Sequence, residues 1–119
     1  LFGTASYLAP ELVVGGEPTF ASDCYALGVC AHILLTGEAP FNDPRQSARL
    51  RRAVKEPAPK ICDRVERLPK QIGDLIDQCV AKDPAQRPET AMALKGALKN
   101  SFGSGIQMTP TELTQKLGH

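Results

Sequence analysis

The stretch SDCYALGVCAHILLTGE, residues 22–38, predicts the central element of the fold. Its apolar run is long enough for about four helical turns, and Gly37 follows where a left-handed C-cap is favoured. Ser22 is a suitable N-cap residue, and the negative charge of Asp23 suits the first turn of a helix. Because this helix is apolar on nearly every side, it must be surrounded by protein, either from this chain or from a partner.

The segments after this helix predict further helices. Asp43 followed by Pro44 is typical of a helix start, which favours a short helix over 44–54. The stretch 68–83 places apolar residues at the i, i+3, i+4, i+7 and i+8 spacing of a helix with one buried face. Thr90 is expected to cap a last long helix. The residues predicted to line the inner face of that helix are Ala91, Leu94 and Leu98.

The remaining segments complete an all-α prediction. No stretch alternates polar and apolar residues strongly enough to indicate a strand. Ser101–Gly105 has the composition of a linker, and Thr109 begins a capping box on a very short helix. We therefore divide the chain into 1–100, which is the size of one compact unit, and 101–119.

Composition narrows the class of protein. The formal net charge of +1 gives no overall reason to expect a nucleic acid or an acidic membrane as partner. The apolar run at 25–35 is too short to span a bilayer, and no signal peptide is visible, so we expect a cytoplasmic protein. The cysteines form no Cys-x-x-Cys pair, which predicts reduced, packed thiols and no zinc site. They are Cys24, Cys30, Cys62 and Cys79.

Three motifs follow one another along the chain: GTASYLAPE at 3–11, SDCYALG at 22–28 and KDPAQRP at 82–88. Together they resemble the C-terminal lobe of eukaryotic-like (Hanks-type) Ser/Thr protein kinases. The first is similar to the Ala-Pro-Glu end of the activation segment, the second to the start of the central helix, and the third to the loop before the last helix. The form of the second motif is closest to bacterial members. The resemblance covers 1–100 and implies a partial C-lobe without the N-lobe.

The resemblance implies a role for each matched residue. Glu11 matches a glutamate that forms a structural ion pair with the arginine matched by Arg87. Asp23 matches an aspartate that anchors the catalytic loop. Four residues match positions that place the protein substrate, namely Leu1, Thr4, Ala5 and Leu8. Cys30 and Leu34 match apolar positions that support the packed spine below the nucleotide. The family usually has proline at the position of Ala5, so this loop departs from the pattern there.

The family's phosphoryl-transfer residues are absent from the 119 residues. No His-Arg-Asp, Asp-Phe-Gly or Gly-x-Gly-x-x-Gly occurs, and those motifs hold ATP and Mg²⁺ and position the acceptor hydroxyl. In the family they precede the activation segment, so we expect them before Leu1. The chain then contains no catalytic, cofactor-binding or metal-binding residue. Its expected partners are a protein substrate and the N-terminal part of the kinase domain, and by itself it is expected to be inactive.

Other functions stay open at this point. A pseudokinase-like module that binds protein without catalysis would carry the same three motifs. A basic cluster could bind nucleic acid, but it has no interleaved aromatic residues, so a solvated helix face or a protein-docking face is favoured. The cluster comprises Arg45, Arg49, Arg51, Arg52, Lys55 and Lys60. His32, within the apolar helix, is expected to be a hydrogen-bonded core histidine.

Overall fold

The structure, a computed structural model, describes the backbone of residues 4–102 and the side chains of residues 6–101. Within that part of the chain every regular element is helical, which confirms the all-α class. Two 3₁₀ turns, Thr4–Tyr7 and Pro84–Gln86, accompany six α-helices. The helices are α1 (Pro10–Val13), α2 (Phe20–Thr36), α3 (Gln46–Lys55), α4 (Ile61–Arg64), α5 (Lys70–Cys79) and α6 (Ala91–Phe102).

The N-cap of the central helix α2 lies three residues before the predicted N-cap, Ser22. This cap is Thr19, whose hydroxyl accepts the N–H of Ser22 at 3.2 Å. The hydroxyl of Ser22 in turn accepts the N–H of Thr19 at 2.7 Å, so both residues form a capping box and Ser22 is not the cap. Gly37 ends the helix as predicted, with a φ of 80° and its N–H bonded to the carbonyl of Ile33.

The start predicted for α3 is also wrong, in this case by two residues. Asp43 does not cap the helix, because its carboxylate accepts the N–H of Arg45 at 2.8 Å and closes a turn ahead of it. The helix that follows, Gln46–Lys55, has no side-chain cap at its N-terminus. The α5 prediction is confirmed over Lys70–Cys79.

The last helix is only partly as predicted. Thr90 caps α6 by accepting the N–H of Ala93 at 3.1 Å, and Leu94 packs on the core. Leu98 also lies on the inner face, where it lines an apolar groove toward α2 and α5, but it is 40% exposed. Ala91 is exposed, so the inner position predicted for it is wrong. The helix continues through the first residues of the expected linker at 101–105. The short helix predicted from Thr109 lies outside the described residues.

Two buried clusters pack against α2. The first joins α2 to the residues before α1 and after α5, and its members are Ala9, Tyr25, Val29, Ala39 and Val80. A Cβ atom on Gly28 would lie 2.5 Å from Cγ1 of Val80, so glycine allows this close approach.

The second cluster is formed by Leu75 and two cysteines, Cys24 and Cys79. All four cysteines are free, and Cys62 is exposed, which corrects the expectation that every thiol is packed.

The described residues cover only one side of α2. On its opposite side Leu27 is 52% exposed and Leu34 is 85% exposed. Beside Leu27, an open apolar groove of about 190 Å³ lies between α2, α5 and α6 and reaches Leu98. An exposed apolar surface of this kind favours association.

We therefore expect the purified chain to self-associate or to be only marginally stable. Replacing Leu27 and Leu34 together by Gln should raise the monomer fraction, because it removes two exposed apolar side chains from this surface. Sedimentation equilibrium of the chain and of the double variant measures this. Met92→Gln is the control, since Met92 is 83% exposed on α6. A wild-type chain that stays monomeric and unfolds in one sharp two-state transition would contradict the expectation.

Candidate functional site

The end of the first motif is held in a short, rigid turn. Pro10 is the first residue of α1, where a proline fits because no N–H is needed there. The carbonyl of Glu11 accepts the N–H of Gly16 at 2.8 Å, and Gly15 allows the chain to reverse with a φ of 96°. Ala9 and Pro10 are buried, so the backbone that carries the Glu11 side chain is anchored in the core.

The third motif brings a buried arginine to this turn. Asp83 caps the 3₁₀ turn Pro84–Gln86 by accepting the N–H of Ala85 at 2.9 Å. Arg87 follows directly, and its side chain is 0% exposed. Its Nη1 and Nη2 atoms donate to the two carboxylate oxygens of Glu11 at 2.7 and 2.9 Å. The structure therefore brings Glu11 and Arg87 together in a bidentate ion pair.

The other donors of Arg87 are also used. Nε donates to the carbonyl of Ala81 at 2.7 Å, and Nη2 donates to that of Lys82 at 3.1 Å. Nη1 donates to the carbonyl of Ala21, in the first turn of α2, at 3.2 Å. All five N–H groups of the guanidinium thus have acceptors, which a buried charge requires. The guanidinium also lies 5.0 Å from the ring centre of Tyr25.

The electrostatics of the pair favour the ionised carboxylate. Burial by itself acts to raise the pKa of Glu11. The hydrogen bonds from Arg87, a backbone N–H and the arginine charge outweigh burial and hold that pKa below its ordinary value. Burial raises the pKa of neighbouring Tyr25 to about 12, so its hydroxyl stays neutral. The charge beside the aromatic ring is therefore carried by Glu11 and Arg87 alone.

The residues expected to place a substrate lie just before this turn. Thr4 and Ala5 belong to the 3₁₀ turn Thr4–Tyr7, which packs against α2 and α3. The side chains of both residues, and Leu1 altogether, lie outside the described part. Leu8 is 37% exposed, so it is available at the surface. The four substrate-positioning residues stay a prediction.

Asp23 lies on the uncovered side of α2. Successive helical steps of four, three and four residues place Asp23, Leu27, Cys30 and Leu34 along one face. Asp23 is exposed, and within residues 4–102 its carboxylate accepts no hydrogen bond. A free carboxylate at the head of an apolar stripe can accept backbone N–H groups from a segment that packs on the stripe. Its predicted role as an anchor for the catalytic loop is untested.

Comparison with known proteins identifies the fold family. The protein kinase domain family model matches residues 1–98. The chain belongs to this family.

Individual relatives are Ser/Thr kinases. The chain is 42% identical over 118 residues to the serine/threonine-protein kinase PkaB of Streptomyces coelicolor, covering 97% of this chain and 26% of that protein. It is 32% identical over 102 residues to PrkC of Bacillus subtilis, covering 86% of this chain and 16% of that protein. PknK of Mycobacterium tuberculosis is 32% identical over 120 residues, which are 98% of this chain and 11% of that kinase. The chain thus spans about a quarter or less of the length of these relatives.

A partly buried cation, Arg64, lies beside His32, which is 0% exposed. Arg64 donates from Nη1 to Nδ1 of His32 at 2.8 Å. Because arginine only donates, Nδ1 must be the acceptor and Nε2 carries the proton of the neutral ring. Burial, and then the charge of Arg64, lower the pKa of His32 to about 4. Sequence reasoning predicted a hydrogen-bonded core histidine but missed Arg64.

No helix between residues 4 and 102 of the kinase chain combines the length and the apolarity needed to cross a bilayer.

In the complete protein that contains this chain, Arg87→Ala should destabilise the fold by about 3 kcal/mol, because it leaves the Glu11 carboxylate without its partner and several carbonyls without a donor. With a urea slope of about 1.5 kcal/mol/M, the unfolding midpoint should fall by about 2 M. Arg45→Ala is the matched control, since Arg45 pairs with Asp43 but its side chain is 73% exposed. That variant should change stability by less than about 0.5 kcal/mol. Equal midpoints for the two variants would contradict the prediction.

The His32 site predicts a loss of stability in mild acid. The pKa of His32 is lowered in the fold, so below pH 6.5 the unfolded chain binds a proton that the folded chain does not. The free energy of unfolding should fall by up to about 3 kcal/mol between pH 6.5 and 4. The Glu11 contribution is lost at lower pH, because its pKa is lowered from 4.5.

Urea unfolding at pH 7.0, 6.0, 5.0 and 4.5 tests this window. His32→Gln should flatten the pH dependence, because its side chain does not titrate. His119→Gln, which replaces the other histidine of the sequence, should keep it. A wild-type midpoint that does not move between pH 7.0 and 4.5 would show that His32 is not held neutral by the fold.

Proposed function

We propose that this chain is the C-terminal lobe portion of a Ser/Thr protein kinase domain. In the complete protein the reaction transfers the γ-phosphoryl group of ATP, with Mg²⁺, to the hydroxyl of a protein Ser or Thr. The observation that carries this proposal is the bidentate contact between Glu11 and Arg87. It joins the Ala-Pro-Glu end of the substrate-binding segment to the loop before α6 and to the first turn of α2.

A rigid substrate segment is what the chemistry requires of this region. Phosphoryl transfer depends mainly on positioning and electrostatic stabilisation, so the acceptor hydroxyl must be held in line with the γ-phosphate. In this proposal Thr4 contacts the catalytic groups, and Leu1, Ala5 and Leu8 line the pocket for the substrate residue after the acceptor. Glu11 and Arg87 do not take part in the reaction; they hold the segment in place.

The uncovered face of α2 supports the same assignment. Asp23 would accept backbone hydrogen bonds from the catalytic loop, and the apolar stripe of Leu27, Cys30 and Leu34 would pack beneath it. The residues that hold ATP and Mg²⁺ belong to the part of the domain that this sequence does not contain. The chain alone is therefore proposed to be inactive. A cytoplasmic location stays a prediction.

Phosphorylation assays with radiolabelled ATP and Mg²⁺ test the proposal. The 119-residue chain should transfer no phosphate, and the complete protein that contains it should phosphorylate a Ser- or Thr-containing protein such as casein. In the complete protein, Asp23→Asn should lower kcat about tenfold or more, because a neutral amide anchors backbone N–H groups less strongly. Asp63→Asn, at an exposed aspartate of α4, is the control and should leave kcat unchanged.

Two results would contradict the proposal. Transfer by the 119-residue chain alone would show that the catalytic residues lie within it. A complete protein that lacks the catalytic-loop aspartate and the Asp-Phe-Gly motif, and that transfers no phosphate, would instead favour a pseudokinase-like binding module.

A further inference from the structure

Residues 62–68 connect the first residue of α4 to the start of α5, and we call this segment the strap. Ile61, just before it, is buried, whereas no residue of the strap is buried. Within residues 4–102, every side-chain hydrogen bond between the strap and the rest of the fold is made by Arg64. Arg64 therefore supplies the main polar attachment of the strap.

Arg64 binds the end of α2 and the loop that follows it. Its Nη1 atom donates to Nδ1 of His32 at 2.8 Å and to the carbonyl of Ala39 at 3.3 Å. Its Nη2 atom donates to the carbonyl of Glu38 at 3.4 Å and to the Glu38 carboxylate at 3.3 Å. The side chain of Glu38 is 56% exposed and that of Arg64 is 17% exposed. The guanidinium thus lies at the edge of the fold and can move into water together with Glu38.

The ring of His32 cannot move into water in the same way. At about 100° per residue, His32 lies half a turn around α2 from Asp23, so it faces the interior and is 0% exposed. Its Nδ1 atom accepts from Arg64, and no described residue accepts the N–H at Nε2. An unpaired buried donor is unfavourable, so this closed arrangement, with Arg64 bound, already carries a cost.

A proton on His32 breaks its contact with Arg64. An imidazolium has an N–H at both nitrogens and no acceptor, so Nδ1 can no longer receive the hydrogen bond. Two positively charged groups would also face each other at 2.8 Å beneath the surface. Because Arg64 lies near water and His32 does not, the arginine is the group that leaves.

Other charged groups around His32 do not compensate for this charge. Asp77 of α5 accepts the N–H of Ile61 at 3.0 Å, and Glu38 is bonded to Arg64 itself. The remaining charged and titratable side chains on the elements that pack against α2 or α4 form no hydrogen bond with the ring. They are Tyr7, Cys62, Asp63, Lys70, Asp74 and Cys79.

The strap is also strained at Arg67. This residue has a φ of 63°, in the left-handed region that residues with a side chain rarely adopt. Arg67 is exposed, and within residues 4–102 its side chain forms no hydrogen bond that would compensate for the strain. The conformation is therefore imposed by the attachment of the strap at Arg64 and at the start of α5. Release at Arg64 lets Arg67 return to a negative φ.

We propose that the strap is an acid-released segment: a proton on His32 displaces Arg64, and residues 62–68 then move away from α2 while Ile61 and α5 stay in place. The buried contact of His32 with Arg64 supports this, as does the strained residue within the strap. The inference goes beyond the proposed function and does not depend on it, because His32 lies on the opposite side of α2 from the face proposed for the catalytic loop.

Amide hydrogen exchange of the complete protein that contains this chain tests the release. Burial, and then the charge of Arg64, lower the pKa of His32 to about 4 in the closed state, and release returns that pKa to its ordinary value of 6.5. Acid therefore favours the released strap, and the ratio of released to closed strap should rise about 20-fold between pH 7.0 and 5.0. Exchange rates of the strap amides, corrected for their intrinsic pH dependence, should follow this ratio.

Comparison with α5 separates local release from unfolding of the whole fold. At both pH values the strap amides should be at least tenfold less protected than those of α5, because the strap opens by itself. His32→Gln keeps an acceptor for Arg64 but does not titrate, so its strap protection should change less than threefold between pH 7.0 and 5.0. His119→Gln is the control and should keep the full change.

Arg64→Gln tests the attachment at neutral pH. It should lower strap protection at least tenfold at pH 7.0, whereas Arg45→Gln, at an arginine whose side chain is 73% exposed, should alter it less than twofold. Strap amides as strongly protected as those of α5 at both pH values would show that the strap opens only when the whole fold unfolds, which overturns the proposal. A wild-type strap whose protection changes less than threefold with pH, or a full change that persists in His32→Gln, also overturns it.

Discussion

The fold depends on one buried charge. The Arg87 guanidinium is excluded from water, and such a group is tolerated only when each donor has an acceptor. Its acceptors come from three places along the sequence: the Glu11 carboxylate, the first turn of α2 at Ala21, and the loop carbonyls of Ala81 and Lys82. Satisfying one arginine therefore fixes the relative position of the first, second and third motifs, which are far apart in the chain.

The contacts of Arg87 connect this fold to the proposed role in phosphoryl transfer, because they hold the end of the first motif in place. In the proposed function the substrate segment ends at α1, and the contact of Glu11 with Arg87 ties α1 to the core. The opposite side of α2 is left uncovered, with Asp23 and an apolar stripe exposed. In the proposed function, one side of α2 holds the substrate segment and the other side accepts the catalytic loop.

Much of the fold could be predicted from local sequence, and long-range contacts could not. The apolar periodicity of α5 and the glycine after α2 depend on interactions within one or two helical turns. The sequence pattern is therefore enough to predict both the helix and its end. The resemblance indicated that Glu11 and Arg87 should be considered together, because each lies inside a motif. Arg64 lies in no motif, so nothing in the sequence indicated its contact with His32. Leu98 faces α2 and α5 as predicted but stays 40% exposed, because periodicity does not show how many elements pack on a face.

The most direct test of the central interaction is a double-mutant cycle on Glu11 and Arg87. Free energies of unfolding would be measured for wild type, Glu11→Gln, Arg87→Met and the double variant. If the two side chains form the bidentate pair, the losses will be strongly non-additive, with a coupling of about 1–3 kcal/mol. Losses that add to within about 0.3 kcal/mol would show that the two side chains act independently, and would contradict the account of how this chain holds its substrate segment.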